Sequence, residues 1–141
     1  MAPVQQYLIA ARFVTTMGHF IALLLLFSTI ENNIHAGLDE DYTTTERETA
    51  TKIAWSALVI GFLCFVCDFG GMFFGTSLFY NTGNMFHILV HFIGGILLSW
   101  LVTDIWNYKA LWPIVITCNI PTALFELSIV FAIKVLKIIV Y

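Results

Sequence analysis

An all-α membrane protein, a bundle of four transmembrane helices, is the fold class that three observations predict. Hydrophobic residues make up 60% of the 141-residue chain and charged ones 11%, with a mean hydropathy of +0.89. The apolar residues gather into four long runs separated by short polar joints. The uncharged run 13–30 is by itself long enough to cross a hydrocarbon core of roughly 30 Å at about 1.5 Å per helical residue.

The first span is predicted over about residues 8–30. Arg12 stands near its start, where a long cationic side chain is expected to reach back to the headgroups. No basic cluster precedes this run, and Ile34-His35-Ala36-Gly37 is a poor version of a signal-peptide cleavage pattern, so the span is read as retained. The polar segment 31–52 sets six acids (Glu31, Asp39, Glu40, Asp41, Glu46, Glu48) against Arg47 and Lys52. It is the sizeable exposed stretch, and therefore the place for a partner to dock. Within it, Thr43 with Glu46 and Thr45 with Glu48 are two overlapping capping boxes, able to satisfy orphan N–H groups at a helix start.

The second span is predicted over 53–74, interrupted by Asp68 and ending among Gly70, Gly71 and Gly75. An uncharged turn leads to a third span over 85–102, with Trp100 and Trp106 near its exit, where amphipathic rings prefer the interface. The fourth is predicted over 113–136, entered at Trp112-Pro113, where a proline loses no needed N–H. Pro121 inside it is expected to produce a kink, because it removes a bond to the Thr117 carbonyl and crowds that group. The whole is expected to form one membrane domain over residues 1–141.

Four spans put both termini on one side, with Arg12, Lys134 and Lys137 there and Arg47, Lys52 and Lys109 opposite beside seven acids. The basic counts tie at three each. The short basic C-terminal end favours cytoplasmic termini.

Composition also excludes functions. A net charge of −3 with six scattered Lys and Arg gives no basic surface for nucleic acid. Cys64, Cys67 and Cys118 fall inside apolar runs and make no disulfide framework. Cys64-x-x-Cys67 reads as two small buried side chains rather than a redox motif. No phosphate-binding glycine loop or serine nucleophile motif occurs, so neither catalysis nor a small-molecule substrate nor a cofactor is expected.

What remains is polarity inside the bilayer. A centrally placed acid costs about 2.5–3.5 kcal/mol on insertion scales, so Asp68 and Glu126 each need a partner. His19, His87 and His91 are the available ones, and His87 and His91 share a helical face. Gly71 and Gly75 lie on the face of Asp68 and admit close approach of another backbone, as do Gly94 and Gly95 on the third span. The ordinary account is that these groups hydrogen-bond across helices and fix the bundle's register. A proton or ion pathway uses the same chemistry but shows no duplicated half. A metal site on His87-x-x-x-His91 with an acid lacks any surrounding signature in the sequence, and none is expected. Recognition of a polar group on a neighbouring membrane protein is a further use of the same residues.

The segment Arg12-Phe13, Thr15, His19, Phe27, Asn33-Ile34, Ala36 and Leu38 resembles the opening of the transmembrane protein 107 family. The stretch Phe65-Val66-Cys67-Asp68 with Gly71, Gly75, Ser77 and Phe79 is similar to that family's second span. His91, Asp104, Trp106, Pro121 and Glu126 resemble later features. The likeness runs over essentially the whole chain, but the family's tail is more strongly basic than Lys134 and Lys137 followed by residues 138–141. The acidic Asp39-Glu40-Asp41 loop differs too. The resemblance implies a non-enzymatic component of the ciliary transition zone membrane, acting with the Meckel-syndrome module of transition-zone proteins in cilium biogenesis and in gating ciliary membrane composition. Its rivals are an accessory subunit of another large membrane complex and, less favoured, a proton- or ion-translocating subunit using Asp68, Glu126 and His91.

Overall fold

Residues 3–75 and 77–137 are described by a computed structural model. Its helices are α1 (Pro3–Ala36), α2 (Thr44–Phe73), α3 (Asn81–Thr103), α4 (Leu111–Ile114) and α5 (Ile120–Lys134). A 3-10 turn, Tyr108–Ala110, precedes α4, and a π-helical turn, Val115–Asn119, joins α4 to α5 in one continuous rod. The four rods are each long and apolar enough to cross a membrane, and the chain is an all-helical membrane protein.

The distribution of side chains is that of a protein solvated by lipid. Large apolar residues such as Leu25, Val66, Phe73 and Leu124 are more than half exposed, whereas Arg12, His19, Asp68, His87, His91 and Glu126 are buried at 0–1% exposure. Water would reward the opposite arrangement; a hydrocarbon solvent sends polar groups inward. The apolar part of the core lies toward the other end of the rods, around Leu23, Leu26, Ile34, Leu58, Leu98, Leu101 and Leu111. There α2 presents Ala50, Ala54, Ala57 and Gly61, all buried at the four-, three- and four-residue steps of one helical face. Small residues at that spacing let helices approach closely where apolar association with lipid is no weaker than with protein.

Every rod begins earlier than its predicted span, whereas α2 ends at Phe73 and α5 at Lys134, short of the predicted 74 and 136. α1 continues through Asn33 to Ala36, and α2 starts at Thr44, so most of the polar segment 31–52 is helix and the loop proper is short. Asn33 explains the extension. Its Nδ2 donates to the Leu101 carbonyl at 2.8 Å and the Trp106 carbonyl at 2.7 Å, clamping the end of α3. That end is unusual: the Trp106 N–H reaches back to the Leu101 carbonyl and Ile105 sits at φ 48, a position ordinarily given to glycine. Trp100 and Trp106 stand with ring centroids 6.4 Å apart beside this joint.

Of the two overlapping capping boxes, the chain uses the first. Thr43 Oγ1 accepts from the Glu46 N–H at 3.3 Å, and the Glu46 carboxylate accepts from the Thr43 N–H at 2.7 Å. Thr45 is already inside the helix, where its carbonyl accepts from the Thr49 hydroxyl at 2.8 Å. Where a kink is expected at Pro121, the structure has a π-helical turn just before it: with no proline N–H to give, the ladder widens, and the Ile120 N–H bonds the Val115 carbonyl five residues back. Residues 138–141, the apolar end of the tail, lie outside the described residues.

Candidate functional site

The polar residues of the four rods meet in two adjoining layers, to which the N-terminal part of α1, the C-terminal part of α2, the start of α3 and α5 each contribute. The helices must therefore alternate in direction, which places the start of α1 and the end of α5 at the same end of the bundle.

The first layer is built around Arg12. Its Nη2 donates to Glu126 Oε1, and its Nη1 donates to Ser77 Oγ at 2.9 Å and to Asn84 Oδ1 at 3.0 Å. The Ser77 hydroxyl also donates to Glu126 Oε1. Asn84 Nδ2 turns outward to the Leu78 carbonyl at 2.6 Å. Gly71 closes the layer from α2: a Cβ built there would fall 2.2 Å from Glu126 Oε1, so only glycine admits the carboxyl. A guanidinium with several forked donors suits this task better than a point-charge ammonium.

This layer corrects two expectations. Arg12 does not reach to the headgroups; it is 1% exposed and is the cation at the centre of the bundle. The reason is that a Glu126 carboxylate hidden from water would be a stranded charge without a cationic partner, and Arg12 is the cation that reaches it. Glu126, expected to pair with a histidine, pairs with Arg12 instead. Removing Arg12 from the flanking cations leaves Lys134 and Lys137 against Arg47, Lys52 and Lys109, two against three, so the basic count no longer ties. It then carries no support for cytoplasmic termini.

The second layer contains the histidines. His91 Nε2 lies 3.4 Å from Asp68 Oδ2, and His87 Nδ1 lies 4.0 Å from Asp68 Oδ1. The Thr122 hydroxyl, one turn before Glu126 on α5, lies 3.0 Å from Asp68 Oδ2 and 2.9 Å from the Asn119 carbonyl of its own rod, so that acceptors share one hydrogen. On the far side, His91 Nδ1 meets His19 Nδ1 at 3.0 Å, so one of these two nitrogens carries the hydrogen and the other accepts it. Gly94 makes room for the His19 ring, because a Cβ there would fall 2.4 Å from the ring carbon Cε1. Phe65 stacks on His91 at 5.5 Å and meets His19 edge-on at 5.0 Å.

Sequence reasoning thus named Asp68, Glu126, His19, His87, His91 and Gly71 as one polar set, and the structure brings all of them to these layers. Gly75 stands apart: it lies beyond the end of α2 in a turn with φ +70. Pro121 shapes the rod that carries Thr122 and Glu126. Arg12, Ser77, Asn84 and Thr122 went unrecognised as core residues. Three of them stand at a helical offset from a named acid or histidine, Thr122 four before Glu126, Arg12 seven before His19 and Asn84 three before His87, whereas Ser77 lies in the turn after α2 and carries no such signal. The Cys64 and Cys67 thiols are free, with Cys64 buried and Cys67 half-buried.

Chemically, the first layer is an ionic network in which Arg12 Nε and Glu126 Oε2 make no hydrogen bond, and the second offers a carboxylate and two imidazoles to a cation. At the opposite end, a cleft of about 440 Å³ opens between the short loop and the 3-10 turn, lined by Asp39, Asp41, Tyr42, Glu46, Tyr108 and Lys109 among others. It is the acidic part of the loop in folded form.

No solved structure matches this chain significantly. Curated relatives do. Transmembrane protein 107 of Mus musculus is 28% identical over 130 residues, covering 92% of this chain and 93% of the relative. That of Danio rerio is 26% identical over 129 residues, covering 92% and 96%, and that of Homo sapiens 25% over 122 residues, covering 86% and 87%. The family model TMEM107, described as a transmembrane protein, matches residues 8–130, a stretch that takes in both polar layers from Arg12 to Glu126, and the chain belongs to that family.

Proposed function

We propose that this protein is a non-enzymatic structural and interaction component of the ciliary transition zone, where it helps assemble the gate that controls ciliary membrane composition. The observation that carries the reading is family membership across residues 8–130, joined to the ciliary role that the resemblance implies. The physical character of the molecule agrees with it. Its polar chemistry is turned inward onto itself, and its outer faces are apolar helix sides with one acidic cleft at the loop end. A chain of this kind acts by what it presents to neighbours in the membrane: helix faces for packing against other spans, and the cleft for a soluble loop of a partner. The partners on this reading are membrane proteins of the Meckel-syndrome module.

Fluorescent tagging at the native locus in a ciliated cell tests it. The expected result is a ring or paired spots at the cilium base; even labelling of the plasma membrane would overturn the proposal. The rival role, as an accessory subunit elsewhere, is separated by the identity of the proteins that co-purify in mild detergent.

A further inference from the structure

The geometry points to a divalent metal site of the zinc class, held by Asp68, His87 and His91 in the interior of the bundle. One ligand atom from each of the three lies within 4.8 Å of the other two, and all three side chains are buried. The 3.4 Å between Asp68 Oδ2 and His91 Nε2 matches the edge of a tetrahedron with bonds of roughly 2.0–2.1 Å, which is about 3.3 Å. The 4.0 Å from His87 Nδ1 runs to the other carboxylate oxygen, Asp68 Oδ1, so the two imidazoles face the two oxygens of one carboxylate, and this second distance needs a contraction of roughly 0.7 Å to reach such an edge. Neither contact is a hydrogen bond. Accordingly Asp68 Oδ1, both ring nitrogens of His87 and Nε2 of His91 have no hydrogen-bond partner, although each is fully buried. Three of these atoms, Asp68 Oδ1, one ring nitrogen of His87 and Nε2 of His91, are what a bound cation would satisfy, one from each residue.

The surroundings have the form of an outer ligand shell. Thr122 Oγ1 is within hydrogen-bond distance of one carboxylate oxygen of Asp68, and His19 Nδ1 engages His91 Nδ1. With the hydrogen on His91 Nδ1, His91 Nε2 directs a lone pair at a carboxylate oxygen, an arrangement that repels unless a cation lies between them. Metal-bound imidazoles are oriented in this manner, with the second nitrogen hydrogen-bonded away from the ion. Charge agrees. Among the described buried side chains Arg12 and Glu126 neutralise each other, which leaves the Asp68 carboxylate without a permanent cation. Imidazole and carboxylate together suit zinc and its neighbours rather than calcium or magnesium. A groove of about 510 Å³ between α1 and α3, bounded by Gly18, Gly95, Phe92 and Trp100, reaches His19 and the His19-facing side of His91.

The competing cation is a proton on His91, and metal content decides between them. The full chain is purified in mild detergent without a polyhistidine tag, and its metal content and X-ray absorption spectrum are measured. The expected result is about one zinc-class ion per chain, bound by nitrogen and oxygen with imidazole scattering. After stripping with a chelator, cobalt should rebind and give visible absorption. Thr122→Val, which removes a hydroxyl but keeps the shape, should bind roughly 10–100-fold more weakly, while Cys67→Ser should bind as the parent does. Folded wild-type protein that carries no metal and binds neither zinc nor cobalt at micromolar concentration would overturn the site. So would sulfur in the first shell, or a metal that persists in folded His87→Gln protein. The result is independent of where in the cell the protein resides.

Discussion

The Glu126 carboxyl occupies the space that a side chain at position 71 would need, so Gly71 on α2 and Glu126 on α5 are matched across the helix interface. The match explains why one of two adjacent glycines is special. A Cβ on Gly70 meets nothing within 4 Å, whereas one on Gly71 meets three atoms of Glu126 at 2.2–2.6 Å. Gly71→Ala must displace the carboxyl, and with it the Arg12 bond.

The expected cost of Gly71→Ala is about 1–3 kcal/mol, the range for overpacking a filled interior. Gly70→Ala should be neutral or slightly stabilising, since alanine is the better helix former by roughly 0.8–1.0 kcal/mol. Thermal unfolding of the two variants in the same detergent checks the contrast, and equal losses would refute the account.

Arg12 and Glu126 should be strongly coupled. Removing one partner of a buried ion pair costs about 3–5 kcal/mol because the other charge is stranded, whereas replacing both by apolar groups of similar volume is often close to neutral. Arg12→Met and Glu126→Leu are therefore each expected to destabilise severely, and the double variant to recover much of the loss. Arg12→Lys should not rescue, because an ammonium cannot reproduce the fork to Ser77, Asn84 and Glu126. A double-mutant cycle by denaturant titration in micelles gives the coupling energy; a value near zero would contradict the network.

At the other end of the molecule, Thr43→Ala should weaken the start of α2 by about 0.5–2 kcal/mol. Thr45→Ala should have little effect, since that residue makes an ordinary in-helix bond. Amide exchange at residues 44–48 reports the difference directly: faster exchange is expected in the first variant alone, and equal protection in both would reject the assignment of the cap.

Much of the architecture was legible in the linear chain. Four apolar runs, each of a length that suits a membrane span, leave no other way to satisfy backbone groups than four helices. The capping pairs marked the start of α2, and the proline at 121 marked the irregular turn. What misled was Arg12, because a cation near the end of a run has two outcomes with similar local signatures. It can reach back to the headgroups, or it can turn inward when an acid on another helix waits there. Glu126 is 114 positions away, and nothing local to either residue reveals the pair.

The amino-acid order by itself determined the number of helices, their membrane character, and the fact that two acids and three histidines had to be hidden from hydrocarbon. Those outcomes follow from solvation, which each segment experiences separately. Which partner each acid takes was decided only when the rods packed. The choice rests on the relative rotation and height of helices that never meet along the chain. It is at this level that Arg12 reaches Glu126, that Gly71 must lack a side chain, and that Asp68, His87 and His91 come to share one centre.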